Sequence, residues 1–154
     1  MSEAIEDVLV SIPLFNGFNN DDLRVVASRC NMVEVEKGDL VFKEGDKGDY
    51  MCFVASGMLD VLKQSEAGKS APITTLTRGR SIGEISLVDD YLRSATVRAT
   101  KNSSLVTLSK TNFEMILEHH PQVGIKLLKG LTRVLSLSLR KTSSQLADTL
   151  LPMG

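Results

Sequence analysis

Short apolar runs separated by polar turns fill the middle of the chain, and longer apolar stripes fill its two ends. From Asn31, Met32, Val33 and Val35 interleave with Glu34 and Glu36, a strand pattern. Lys37-Gly38-Asp39 turns the chain, and residues 40–43 make a second short strand. Glu44-Gly45-Asp46-Lys47-Gly48-Asp49 is a loop of turn-forming residues. Residues 50–55 form a strongly apolar strand, which Gly57 separates from another at 58–62. A polar hairpin tip at 65–70, built around Gly68, leads to a strand at 73–76 that Gly79 ends. Two further strands follow at 95–99 and 105–108. Many short strands joined by glycine turns predict a barrel or jelly roll.

The ends read as helices. Ile5–Val10 is a short apolar and acidic helix, followed by a tight apolar turn at 12–18. Asn19 or Asn20 caps a helix opened by Asp21 and Asp22, with Leu23, Val25, Val26 and Ala27 on its buried side. After the last strand, Thr111 is expected to cap a helix over 112–119, with Phe113, Ile116 and Leu117 inward. Pro121 then opens a long helix to about residue 150. Along it Leu127 or Leu128, Leu131, Leu135, Ser138 or Leu139, Thr142, Leu146 and Thr149 recur at steps of three and four. The stripe packs on the strands to about Leu135. Beyond that it outruns a small barrel, and a helix–helix seam between two copies is expected.

The predicted fold is therefore α+β and mainly β, a β-roll or jelly roll of about eight strands, of which seven are placed by the pattern. It is read as one domain over 1–154, with N-terminal helices in 1–30, a β-roll in 31–110 and C-terminal helices in 111–150. The length of 154 residues suits one domain with a full core. Eighteen basic residues against 19 acidic ones leave no basic surplus, which argues against nucleic-acid binding by this chain. The N-terminus lacks a signal-peptide pattern, and no apolar run approaches a membrane span. Cys30 and Cys52 match no metal or redox spacing and read as small apolar residues of a reduced, cytoplasmic protein.

Candidate chemistry concentrates in 81–97. Gly83 follows the turn-like Arg78-Gly79-Arg80-Ser81 and lets the backbone bend close to a ligand. Residues 84–88 suffice for about one or two helical turns, whose first N–H groups suit a phosphate. Arg93 supplies a permanent charge and a fork of donors, and Ser94 a hydroxyl. Glu84 has the wrong sign for a phosphate and, as an acceptor, suits a sugar hydroxyl. Together these describe a nucleotide site. The structural alternative for Glu84 and Arg93 is an ion pair at a helix edge.

Gly83-Glu84-Ile85-Ser86-Leu87 and Arg93-Ser94-Ala95-Thr96-Val97 resemble the phosphate-binding cassette of cyclic-nucleotide-binding domains. These occur in the catabolite activator protein family, regulatory subunits of cyclic-AMP-dependent kinase and cyclic-nucleotide-gated channels. Ile82 departs mildly, where many members have Phe. The loop at 44–49 with its run to Gly57 resembles a second family signature, and Pro13-Leu14-Phe15 the family's approach to the barrel. The resemblance implies a ligand set of Gly83, Glu84, Ile85, Ser86, Arg93, Ser94 and Ala95 in a cassette spanning 82–97. Glu84 would hold the ribose 2′-hydroxyl and Arg93 the cyclic phosphate. Ser94 and the N–H groups of Glu84 and Ile85 would complete the phosphate cradle. Ser138, with Arg140, Lys141 and Thr142, would cover the base from the long helix. Gly45, Gly48 and Gly57 read as backbone devices, Gly57 also as a neighbour of the ligand.

Other chemistries fit less well. Residues 44–49 lack the spacing and terminal Glu of a calcium loop. A cupin-like metal enzyme needs clustered histidines, but His119 and His120 are adjacent, outside the strands, and read as a solvated helix end. No nucleophile–base pair is visible, so no enzyme and no cofactor are expected. Lys126, Lys129, Arg133, Arg140 and Lys141 make the long helix basic, with Glu3, Glu6 and Asp7 as candidate partners. The expected protein is a sensor for cyclic AMP, with cyclic GMP second, in which bound phosphate draws Arg93 and the cassette helix inward toward Leu87 and Val88. The long helix then closes over the base. A homodimer through that helix and an unidentified protein effector are the expected partners. Met1 and the loose end at 151–154, with no helix-turn-helix after it, fit a free-standing bacterial-type member better than an excised domain. A nucleotide-free β-roll interaction module is the alternative.

Overall fold

The apolar strand at the centre of the pattern is buried on both faces, which is why it carries no alternation. It is β3, Tyr50–Ser56. Its odd-numbered residues Met51, Phe53 and Ala55 join a core shared with the helices, while Cys52 and Val54 join a second core between the sheets. The computed structural model describes residues 4–90 and 92–150. Glu3, Tyr91 and the end at 151–154 lie outside the described residues.

The remaining strands are β1 (Cys30–Val35), β2 (Leu40–Phe42), β4 (Leu59–Gln64), β5 (Ser70–Leu76), β6 (Ser81–Ile82), β7 (Thr96–Ala99) and β8 (Ser103–Ser109). They form two four-stranded sheets, ordered β1-β8-β3-β6 and β2-β7-β4-β5. All pairings are antiparallel, with β8 joined to β1 from Cys30↔Leu108 and to β3 from Tyr50↔Ser109. This is the expected eight-stranded β-roll. Its two-residue β6 was not foreseen, because two residues carry no period.

Helix α1 (Ile5–Val10), a 3₁₀ turn at Pro13–Phe15 and helix α2 (Asn20–Ala27) precede the roll. The cap of α2 is Asn19: its side chain accepts from Asp22 N–H at 2.8 Å, and Asp22 accepts from Asn19 N–H at 3.1 Å. Helix α3 (Lys110–His119) begins earlier than the expected cap at Thr111. Strand β8 runs to Ser109, and the Ser109 hydroxyl accepts from Asn112 N–H at 3.0 Å, so the helix starts at once. Helix α4 (Pro121–Leu150) packs through Val123, Leu127 and Leu131. At Gly130 a Cβ would lie 2.7 Å from the Leu14 carbonyl, so only glycine lets α4 approach that turn. Residues 137–150 are all exposed, as the stripe's outer half suggested. Lys126 pairs with Asp22 of α2. Among the described residues neither Glu6 nor Asp7 forms an ion pair with α4.

Candidate functional site

The site begins where β6 ends. Gly83 takes φ 84°, a left-handed conformation that glycine adopts without strain. A Cβ there would also lie 2.6 Å from Arg93 Nη1 and 3.0 Å from the Phe42 ring. The chain then makes a 3₁₀ helix, Glu84–Leu87, one residue shorter than expected, with Val88 as its cap. Its first internal bond runs from Ser86 N–H to the Gly83 carbonyl at 3.1 Å, so the N–H groups of Glu84 and Ile85 precede that bond.

Arg93 lies beneath this turn and is only 7% exposed. Its guanidinium stacks 3.5 Å from the centroid of Phe42 and 4.9 Å from that of Tyr50. Nη1 donates to Ser86 Oγ at 2.8 Å, and Nη2 to the Tyr50 carbonyl at 2.7 Å. Among the described residues no carboxylate lies within 4.0 Å of it. Burial holds its pKa below the ordinary arginine value, with partial compensation from Tyr50, Cys52 and Asp49. Arg93 is therefore turned inward, toward Ser86 and the two aromatic rings.

The loop between β2 and β3 grips the same residue. Arg93 N–H donates to the Asp46 carbonyl at 2.7 Å, and Gly45 N–H donates to the Arg93 carbonyl at 2.8 Å. Gly48 faces the side chain, where any Cβ would collide with Nε and Cζ of Arg93 and lie 2.8 Å from Ser86 Oγ. The two glycine signatures of the sequence thus meet at one arginine. Gly57 instead packs against Ser103 and does not line the cassette cavity.

Glu84 is half-buried and turned elsewhere. Its Oε1 accepts from the Ser81 hydroxyl at 2.6 Å, and no ion pair joins it to Arg93. The ion-pair alternative for these two residues is therefore excluded. Cys52 is fully buried on β3, with its thiol pushed up to about 12, chiefly by burial.

A cavity of about 580 Å³ opens over the cassette, lined by Gly83, Glu84, Ile85, Ser86, Asp89 and Ser94 with apolar Ile82, Val88 and Leu92, while Arg93 lies behind this lining and not in it. That volume falls within the roughly 300–1,000 Å³ of small-molecule sites. Ser94 is exposed, and its carbonyl accepts from Lys63 Nζ at 2.5 Å. Ala95 faces the inter-sheet core. On α4, Ser138 does not line this cavity; it lines a separate one of about 200 Å³ between α4 and the Pro13 turn, to which Ser81 and Glu84 also contribute. Arg140, Lys141 and Thr142 are exposed and line neither cavity, and Arg140 reaches Ser136 on its own helix at 3.5 Å. Among the described residues, no group of His, Cys, Asp and Glu is placed to hold a metal. No helix among them is long and apolar enough to cross a membrane. Phe42, Tyr50 and Ser81 are site residues that sequence reasoning missed, and Gly48, read there as a backbone device, faces Arg93.

Residues 32–120 match the family model described as a cyclic nucleotide-binding domain. The chain is 33% identical over 107 residues to a cAMP-dependent protein kinase regulatory subunit of Blastocladiella emersonii, covering 70% of this chain and 27% of that one. A cGMP-dependent protein kinase of Plasmodium berghei is 31% identical over 100 residues, covering 65% of this chain and 11% of the kinase. The chain thus spans about a quarter or less of these curated relatives. Among solved structures, a cyclic nucleotide-binding domain from Methylobacillus flagellatus superposes with a TM-score of 0.83 at 27% identity, covering 98% of this chain and 84% of that one.

Proposed function

The chain belongs to the cyclic nucleotide-binding domain family, and from that premise we propose that it is a sensor for cyclic AMP, with cyclic GMP second. The observation that carries this reading is Arg93, a buried guanidinium held by neutral acceptors and aromatic faces, with no carboxylate partner among the described residues. A desolvated cation of that kind gains most from an anion that brings several acceptor oxygens. The cyclic phosphate meets Arg93 and the N–H groups of Glu84 and Ile85, with Ser86, Ser94, Ala95 and the Gly83 turn shaping the cradle. Glu84 takes the ribose 2′-hydroxyl. Ser138 stands on the base side, with Arg140, Lys141 and Thr142 brought in only if α4 moves.

The site binds and does not cleave, so the protein acts as a switch. Phosphate oxygens compete with Ser86 Oγ and the Tyr50 carbonyl for the guanidinium donors. Contacts that differ between the two arrangements are what let a ligand shift a conformational equilibrium. The movement passes from the cassette to α4, which pairs two copies of the chain or docks a protein effector. The buried free thiols of Cys30 and Cys52 suit a reducing compartment, the cytoplasm.

Thermal unfolding with and without nucleotide tests the reading. At a hundredfold excess over Kd, cyclic AMP should add about 2.7 kcal/mol of stability, or roughly 5–10 °C in melting temperature. Cyclic GMP should give a smaller shift and 5′-AMP none. An unchanged melting temperature with both cyclic nucleotides would overturn the proposal and turn attention to α4 as a docking element.

A further inference from the structure

The Glu84 carboxylate does not choose its own direction. Ser81 Oγ donates to Glu84 Oε1 at 2.6 Å, a short bond of the charge-assisted kind. The donor is itself anchored, because Ser81 sits on β6 in register with Phe53, a fully buried residue of β3. Gly83 lies between donor and acceptor, and its left-handed turn folds the carboxylate back over the strand. Ser81 and Glu84 share the 200 Å³ cavity under α4 with Ser138. An ionised carboxylate accepts through two oxygens. With Oε1 committed to Ser81, the other oxygen is the one offered to a ligand. A glutamate held in this way has less rotamer freedom to lose when a ligand binds.

We propose that Ser81 is the positioning residue for the ligand's sugar: its hydroxyl sets the Glu84 carboxylate so that the second oxygen meets the ribose 2′-hydroxyl. This rests on the reading of Glu84 as the ribose acceptor. The hydroxyl acts through Glu84 alone, so its contribution exists only for a ligand that carries the 2′-hydroxyl. A hydroxyl that merely secured the end of β6 would instead affect every ligand alike.

Calorimetric titration of the full chain with cyclic AMP and its 2′-deoxy analogue separates these roles, in the parent protein, Ser81→Ala and Ser81→Thr. The parent should prefer cyclic AMP. Ser81→Ala should bind cyclic AMP roughly tenfold more weakly, yet bind the 2′-deoxy analogue within about twofold of the parent. Ser81→Thr keeps the hydroxyl and should stay close to the parent for both. Equal weakening of both ligands by Ser81→Ala, or no weakening of either, overturns the proposal while leaving nucleotide binding intact. A parent that binds cyclic AMP no better than the 2′-deoxy analogue removes Glu84 as ribose acceptor, and one that binds neither removes the sensor reading; both outcomes end the proposal. Should Ser81→Ala fail to fold, Ser81→Cys replaces it, keeping the volume with only a weak donor.

Discussion

Arg93 makes the strongest demand on its neighbours, and Gly48 is the neighbour with least freedom to change. A Cβ at Gly48 would overlap the guanidinium and crowd Ser86 Oγ. Gly48→Ala should therefore displace Arg93, destabilise the protein by about 1–3 kcal/mol, and weaken cyclic AMP binding at least roughly tenfold. Denaturant unfolding and calorimetry check both parts; unchanged stability and affinity would show that Arg93 is not clamped there. Residue chemistry was the most legible level in the sequence. Gly83, Glu84 and Arg93 are chemically distinctive, and their types alone pointed to the turn that is found at Gly83 and to the proposed sugar and phosphate roles of Glu84 and Arg93. The stack on Phe42 and the approach of Gly48 were illegible, because both depend on a distant loop folding against Arg93. Ser81 was quoted only as part of a turn, since nothing in a lone serine announces the carboxylate that it holds.

At the scale of elements, α2 and α4 are tied by one ion pair. The Lys126 ammonium, with the Asn19 N–H, holds the Asp22 carboxyl below its usual value of 3.8. A carboxyl depressed in the folded state stabilises above its unfolded pKa, and that stability is lost as pH falls through the folded value. Asp22→Asn should thus cost roughly 0.5–1 kcal/mol near neutral pH, at the low end because solvent screens the half-exposed lysine. The gap from the parent should narrow as pH falls below 3.8 and close once the lowered folded-state value is passed. Melting curves across that range check this, and a gap that persists in acid would assign the loss to the helix cap instead. Element boundaries were legible where periodicity was long, as in α4, and where a run was uniformly apolar, as in β3. They were not legible at β6, or at the start of α3, where Ser109 and Thr111 are both competent caps and the length of β8 decides between them.

For the whole molecule, the outer half of α4 is left uncovered by the described residues of one copy of the chain. Leu139, Leu146 and Leu150, which share one face of the helix, are 68%, 56% and 67% exposed. Leucines left in water at helical spacing favour a partner helix. Sedimentation should therefore find a dimer that Leu139→Glu with Leu146→Glu converts to monomer, and a parent protein that is monomeric at micromolar concentration would contradict the pairing. In the proposed function, this roll holds a cyclic phosphate on a cation stored without a carboxylate partner among the described residues. Calorimetric titration with cyclic AMP, beside Arg93→Ala, tests it most directly. One nucleotide should bind per chain, with a loss of at least about a hundredfold in affinity in the variant. Equal affinity in both proteins would contradict it.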